Sequence, residues 1–304
     1  MLVDVSLRPA PPDAVLLKRA VLHTLTYADV FDYPLTLSEV HRYLSFQRAT
    51  VEEVARALDD LVESCALIRV GECFTLPGRE SLAGTRQRRR GIAASLWRKA
   101  LRYGRIMASL PFVRMVAVTG SLAMNNTEQG KDIDFMLVST PGRLWTARAL
   151  AILLTHLARL EGVSLCPNYI VTTRALEFHD HSLYVAHEMA QMVPLSGVQL
   201  YSSIRDLNAW TDDYLPNAGR AFQPRRAANQ PARWQRLMEA VLDVLPTQWF
   251  EAWEMKRKIR KLSRQQSSSP EAYFSADVCK GHADRHGLRT EMLLRQRLER
   301  LGSL

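Results

Sequence analysis

The sequence predicts a mixed α/β (α+β) protein, because short apolar runs typical of strands alternate with longer segments of helical periodicity. The N-terminal part combines three amphipathic segments with two short β segments. The central part alternates apolar runs and helices, and the C-terminal part is helical and basic. We therefore expect four regions, at residues 1–80, 81–110, 111–246 and 247–304.

The composition is that of a folded protein with a substantial core, since 47% of its 304 residues are hydrophobic and 23% are charged. The net charge of +9 favours polyanionic partners such as nucleic acid or nucleotides. The four cysteines show no regular spacing and no secretory signal is visible, so we expect reduced thiols in a cytoplasmic protein. The most apolar stretch, 149–158, is too short to span a bilayer, and no membrane partner is expected.

The N-terminal region predicts a winged helix-turn-helix. Helical periodicity covers residues 14–27 and 37–43, and a third helix begins at Thr50, where Glu53 completes a capping box. The segment RVGECFTLPG (69–78) then predicts two short β segments about a glycine turn. Three helices followed by a hairpin are typical of this motif.

The third helix of this region has an acidic exposed side, which is poorly suited to a groove lined with phosphates. Its exposed acids are Glu52, Glu53, Asp59, Asp60 and Glu63. Two interpretations stay open at this point, DNA binding and protein–protein docking.

The segment 79–105 is rich in arginine and predicts a helix that leads into the first central strand. One interpretation is a solvated basic linker helix. The other is a basic rim beside a site for a nucleotide or nucleic acid.

The central region predicts an α/β layer around a small mixed sheet. Strands are expected at FVRMVAVTG (112–120), IDFMLVST (133–140) and VSLCPNYIVTT (163–173). Helices are expected at LWTARALAILLTHLARL (144–160) and at 182–192.

The residues between the first two strands predict a phosphate-handling site. Asp132 and Asp134 are two positions apart at the start of a strand, so both carboxylates point to one side and suit Mg²⁺ or Mn²⁺. Gly120 allows a sharp backbone turn, and Ser121 offers a hydroxyl and an N–H group to a phosphate oxygen. The ammonium of Lys131 stands next to the Asp pair, where it can contact phosphate. Together these groups predict phosphoryl or nucleotidyl transfer.

The stretch GSLAMNNTEQGKDIDFMLV resembles the signature of the DNA polymerase β-type nucleotidyltransferase superfamily. The phrases TYADVFDYPLT, LPGR, CPNYIV and AHEMAQMVPL further resemble bacterial nucleotidyltransferase-domain proteins. The resemblance implies a central nucleotidyltransferase fold that transfers an NMP from an NTP to an acceptor with two metal ions. It also implies that Asp132 and Asp134 hold the metals, and that Gly120 and Ser121 hold the triphosphate.

Members of that superfamily usually add a third carboxylate from a neighbouring strand, and this chain departs from the pattern. The matching positions hold Cys166 or Asn168. Asn168 can ligate a metal through its carbonyl oxygen, but an amide is no general base. Glu177 and Glu188 are alternatives, although each is first interpreted as a surface or capping acid.

Three functions are compatible with these residues. The leading one is a Mg²⁺-dependent nucleotidyltransferase that uses an NTP and a nucleic-acid or protein acceptor. The second is a catalytically weak or inactive fold of this kind that binds nucleic acid or a partner protein. The third is a toxin-like transferase that acts on tRNA or on protein hydroxyls.

The segment CKGHADRHG near the C-terminus has two interpretations. Cys279, His282 and His286 stand at spacings that suit a zinc ion, without an evident fourth ligand. Alternatively, the segment brings Lys280 and His282 to the phosphate site.

Overall fold

The computed structural model describes residues 13–219, 233–244, 247–265, 273–281 and 286–302. The described residues are mixed α/β, with 57% helix and 15% strand, which confirms the predicted class. Its residues divide into two compact units. The N-terminal unit comprises Met1–Ala83, Asp212–Gly219 and Leu294–Leu304, and the central unit comprises Gly84–Thr211 and Arg220–Leu293.

The N-terminal unit contains three helices and a three-stranded antiparallel sheet of order β1-β3-β2. Its elements are α1 (Ala14–Asp29), β1 (Leu35–Thr36), α2 (Leu37–Arg42), α3 (Val51–Glu63), β2 (Ile68–Val70) and β3 (Cys73–Thr75). All three predicted helices and both β segments of the hairpin are present. Strand β1 was not predicted, because two residues are too few to show an alternating pattern.

Helix α3 begins at the predicted capping box. The backbone N–H of Glu53 donates to Oγ1 of Thr50 at 3.2 Å, and the N–H of Thr50 donates to Oε2 of Glu53 at 2.8 Å. These two bonds satisfy donors that have no partner within the helix. The apolar side of the helix is buried, and Asp59 and Asp60 are exposed on the other side.

The central unit is built on a six-stranded sheet with helices on both faces. The remaining elements are α4 (Leu82–Ala108), β4 (Val113–Val118), α5 (Gly120–Ala123), β5 (Ile133–Ser139), α6 (Leu144–Leu160), β6 (Leu165–Thr172), α7 (Leu183–Gln191), β7 (Val193–Ser196), α8 (Val198–Leu207), α9 (Thr211–Tyr214), α10 (Arg233–Val244), α11 (Thr247–Gln265), β8 (Tyr273–Phe274), β9 (Val278–Lys280) and α12 (His286–Gly302). Three of these helices, α4, α9 and α12, contribute residues to both units. The predicted central strands and helices are all present.

The sheet has the order β7-β4-β5-β6-β9-β8 and is mixed. Strands β5 and β6 are parallel and joined through α6, whereas the other neighbours are antiparallel. Phe135 of β5 packs in the core with α4 and α6, and Met136 packs in the core with α7 and α8. Because side chains alternate along a strand, Asp134 lies on the same face as Met136, which is the face covered by α7.

Helix α4 contributes an apolar side to the core of the central unit. Trp97, Tyr103 and Met107 are buried there, together with Ala93 and Ala100. The basic residues of α4 therefore lie on the side of the helix opposite its buried side.

The sequence predicted a helical C-terminal region, but the structure also contains two strands there. Strands β8 and β9 extend the sheet, and β9 pairs with the middle strand β6 through Tyr169 opposite Lys280 and Ile170 opposite Cys279. These strands have only two and three residues, so no periodicity identifies them. Among the described residues, no helix combines the length and apolarity needed to cross a membrane.

Candidate active site

The Gly-Ser turn and the Asp pair meet at the start of β5. The backbone N–H of Thr119 donates to the carbonyl oxygen of Asp134 at 3.1 Å, and the following Gly120 has φ +65°. A Cβ atom on Gly120 would lie 2.7 Å from Oδ2 of Asp134. Only glycine therefore allows the turn to approach this carboxylate so closely. Ser121 follows at the beginning of α5 and is partly exposed.

The loop between Gly120 and Asp134 is held in place by α4. Arg89 donates to Oδ1 of Asn126 at 3.1 Å and to Oε1 of Glu128 at 2.5 Å. The indole N–H of Trp97 donates to Oδ1 of Asn125 at 2.7 Å. Within the loop, the N–H of Asn126 donates to the carbonyl oxygen of Ser121 at 2.8 Å. At least one basic residue of α4 thus fixes the loop rather than serving only as a solvated surface.

The two carboxylates of the Asp pair have different surroundings. Asp132 and Lys131 are exposed, whereas Asp134 is largely buried. Burial raises the pKa of Asp134 to about 6, and the negative charge of Asp132 adds to this effect. A hydrogen bond from Cys166 and the positive charge of Lys131 lower it in part. A cation near Asp134 would relieve the unfavourable charge.

Strand β6 supplies two polar side chains to Asp134. Cys166 stands opposite Asp134 in the ladder, and burial raises the pKa of its thiol to about 12, so it is a neutral donor. Nδ2 of Asn168 lies 3.4 Å from Oδ1 of Asp134 and donates to it. The amide oxygen of Asn168 is buried and has no hydrogen-bond partner within the described structure. Such an oxygen is suited to a cation.

Glu188 of α7 lies on the same side of the sheet and interacts with this cluster. Burial raises the pKa of Glu188 to about 7, and the negative charge of Asp134 raises it further, while Lys280 lowers it. Glu188 is therefore a half-buried acid that interacts with Asp134, rather than a fully exposed one. Glu177, the other acid considered, is exposed in the segment after β6.

Lys280 arrives at this face from β9. Its side chain is only 17% exposed, and its Nζ lies 3.3 Å from Oδ2 of Asp180 and 6.0 Å from the ring centroid of Tyr169. The positive charge of Lys280 lowers the pKa of Glu188. The sequence offered this contribution as one of two interpretations of the CKGHADRHG segment, the one that brings Lys280 to the phosphate site.

The described residues of that segment do not form a zinc site. Cys279 is buried in the core on β9, and His286 begins α12. His282 lies outside the described residues. Within the described part of the chain, no group of three or more His, Cys, Asp or Glu side chains is arranged to hold a metal ion.

The residues at Asp134 nevertheless fit a hard divalent cation. Mg²⁺ commonly takes one or two protein carboxylates and completes its shell with water and phosphate oxygens. Asp132 and Asp134 provide two carboxylates, and Asn168, whose amide nitrogen faces Asp134, adds a buried amide oxygen without a described partner. This set is an incomplete cage, as expected where substrate oxygens supply further ligands.

Comparisons with protein-family models, with curated proteins and with solved structures found no match to this chain. Its chemistry is therefore inferred from the arrangement of its own residues.

Proposed function

We propose that this protein is a nucleotidyltransferase that depends on Mg²⁺ or Mn²⁺ and moves an NMP from an NTP to an acceptor hydroxyl. The observation that carries the proposal is the contact between Gly120 and Asp134, where a Cβ atom would stand 2.7 Å from the carboxylate oxygen. This contact joins a backbone turn suited to phosphate with carboxylates suited to a cation. Transfer chemistry needs these two features side by side.

Asp132, Asp134 and Asn168 would hold the metal. When bound, the cation would supply Lewis-acid stabilisation of the charge that develops on the transferred phosphoryl group. The raised pKa of Asp134 supports this assignment, since a buried carboxylate next to a second one gains from a positive charge. Cys166 keeps Asp134 oriented through a hydrogen bond.

The triphosphate would be bound by Gly120, Ser121 and Lys131. Gly120 leaves its backbone open to close approach, Ser121 is partly exposed, and Lys131 is exposed beside the carboxylates. Two cationic side chains interact electrostatically with the acidic residues of the proposed site, Lys131 with Asp134 and Lys280 with Glu188. They would balance part of the negative charge of the NTP.

Glu188 would act as the general base for the acceptor. Its pKa of about 7 suits proton abstraction near neutral pH, which the amide of Asn168 cannot perform. In the proposed step, Glu188 takes the proton of the acceptor hydroxyl as its oxygen attacks the α-phosphorus. The bond from the α-phosphorus to the bridging oxygen of the β-phosphate breaks, and pyrophosphate leaves.

For the N-terminal unit we propose a winged-helix module that docks a partner protein. Three helices with a short antiparallel sheet support this fold assignment. The exposed acids of α3, including Asp59 and Asp60, favour a protein partner over DNA, because they would face phosphates in a DNA groove.

The test of the enzyme proposal is NTP binding measured by titration calorimetry with each of the four NTPs, with and without Mg²⁺. We expect wild type to bind at least one NTP only when Mg²⁺ or Mn²⁺ is present. The double variant Asp132→Ala/Asp134→Ala is expected to lose this binding, because it lacks both carboxylate ligands.

The matched control is Asp59→Ala/Asp60→Ala, which removes two exposed aspartates from α3. It is expected to bind the NTP as wild type does. The absence of binding for every NTP in both metals would contradict the proposal. Metal-dependent binding without any release of pyrophosphate would instead support the non-catalytic alternative, a fold used for binding.

A further inference from the structure

Helix α11 carries two exposed tryptophans followed by exposed cations along one side. Trp249 and Trp253 are 70% and 45% exposed, and Lys256 and Arg260 are exposed as well. Their spacings of four, three and four residues keep them on one side of a helix. We call this surface, with Arg257, the α11 face.

The acidic residues of α11 are both engaged, Glu251 by α6 and Glu254 by Arg257 of the α11 face. Glu251 accepts hydrogen bonds from the backbone N–H groups of Trp145 and Thr146 at 2.8 and 2.7 Å, which caps the first turn of α6. Glu254 is buried and pairs with Arg257 at 2.7 Å. The described part of α11 contains no other acid, so its exposed side is cationic.

The two tryptophan rings are stacked with nearly parallel planes. The ring centroids of Trp249 and Trp253 are 6.2 Å apart, and the ring planes differ by only 13°. The guanidinium carbon of Arg257 lies 5.0 Å from the ring centroid of Trp253. The cations therefore begin directly beside the aromatic surface.

This combination matches the chemistry of single-stranded nucleic acid. Unpaired bases stack on exposed aromatic rings, and the backbone phosphates contact lysine and arginine. The surface from Trp249 to Arg260 extends for about 16 Å along the helix axis, enough for a few nucleotides. A duplex gains less from the rings, because its base faces are already stacked.

We propose that the α11 face binds single-stranded nucleic acid. Bases stack on Trp249 and Trp253, and phosphates contact Lys256, Arg257 and Arg260. The proposal does not depend on nucleotidyl transfer, since none of these residues belongs to the Asp132–Asp134 site. It also differs from DNA binding by α3, whose exposed side is acidic.

The test is the fluorescence anisotropy of labelled 20-nucleotide RNA and DNA of mixed sequence, titrated with the full chain at several salt concentrations. We expect wild type to bind with a marked salt dependence. Trp249→Ala/Trp253→Ala is expected to lower the affinity at least about tenfold, because stacking of two bases is lost. Lys256→Ala/Arg260→Ala is expected to reduce the slope of log K against log salt by about 1.4.

Matched variants separate this surface from general effects. Trp234→Ala removes a tryptophan of similar exposure from α10, and Arg98→Ala/Lys99→Ala removes two exposed cations from α4. Both are expected to bind RNA as wild type does. Trp249→Phe/Trp253→Phe, which keeps two aromatic rings, is expected to retain most of the affinity. Circular dichroism confirms that each variant is folded.

Several outcomes would overturn the proposal. These are the absence of binding at 50 mM salt, equal losses in the α11 and control variants, or loss of RNA binding in Asp132→Ala/Asp134→Ala. Binding to vesicles of anionic phospholipid, or to an acidic peptide, without binding to the oligonucleotides would also reject it. Loss of NTP binding alone would contradict the enzyme proposal and leave this one standing.

Discussion

The two halves of the candidate site differ in how far apart their residues stand in the chain. The first half lies within residues 120–134 and consists of a turn, a loop and the start of one strand. The second half consists of Asn168 on β6, Glu188 on α7 and Lys280 on β9. The two halves meet at the carboxyl group of Asp134. Asn168 donates a hydrogen bond to it, and its negative charge raises the pKa of Glu188.

The first half is determined by local sequence, whereas the second half is determined by tertiary structure. In the first half, glycine geometry and strand alternation decide which side chains meet. In the second half, the pairing of β6 with β5 and β9 and the packing of α7 on the sheet decide it. A site can therefore be half visible in a sequence and complete only in the fold.

The largest expected effect is on the rate of pyrophosphate release, and it comes from a substitution in the second half alone. Glu188→Gln keeps the size of the side chain but cannot accept the acceptor proton. We expect the pyrophosphate release rate from ATP, with water or the protein's own hydroxyls as acceptor, to fall about 100-fold or more. In wild type the rate should rise with pH through about 7, as Glu188 loses its proton, and this rise should be absent from the variant.

Glu177→Gln is the matched control for this change, because Glu177 is exposed and was the competing third acid. It is expected to leave the rate and its pH dependence unchanged, and NTP affinity should be similar in both variants. A large loss in Glu177→Gln with none in Glu188→Gln would reverse the assignment. The second half would then be structural, and the comparison between the halves would fail.

The sequence predicted the strands and helices of the central unit because most of them are long and strongly patterned. Its prediction that Asp132 and Asp134 share one side of a strand stays a prediction, because β5 begins at Ile133 and includes only Asp134. The sequence did not predict β8 and β9, which are too short for any pattern, and it offered Lys280 at the phosphate site only as one of two interpretations of its segment. Glu188 was undervalued because nothing in a helical segment indicates which acid faces a sheet.

The second expected effect concerns the free energy of unfolding and joins the two halves at Asp134. The pKa of this carboxyl is about 6, against 3.8 for an ordinary aspartate. The folded state therefore holds a proton that the unfolded state releases, and stability falls as pH rises from about 4 to about 6. Asp134→Asn removes this cost and is expected to stabilise the protein by up to about 3 kcal/mol at pH 8 in EDTA.

Thermal unfolding followed at pH 4 and pH 8 measures this effect. The gain should be small at pH 4, where the wild-type carboxyl is largely protonated, and Mg²⁺ should reduce the gain at pH 8 by stabilising wild type. Asp59→Asn, at an exposed position on α3, is the control and should change stability little at either pH. A gain of equal size at both pH values would show that ionisation of Asp134 is not its cause.

The smallest expected effect concerns NTP affinity and tests the first half at a single carbon atom. Gly120→Ala and Gly130→Ala both introduce a side chain at positive φ, +65° and +79°, so both carry a backbone cost of about 1 kcal/mol. Only the first also places Cβ against Oδ2 of Asp134, whereas nothing lies within 4 Å of a Cβ at Gly130. We therefore expect NTP affinity in Mg²⁺ to fall at least about tenfold in Gly120→Ala and to stay near wild type in Gly130→Ala, since a tenfold change needs only about 1.4 kcal/mol. Titration calorimetry at matched temperature compares the two variants, and equal affinities would mean that the close approach to Asp134 is not part of the binding site.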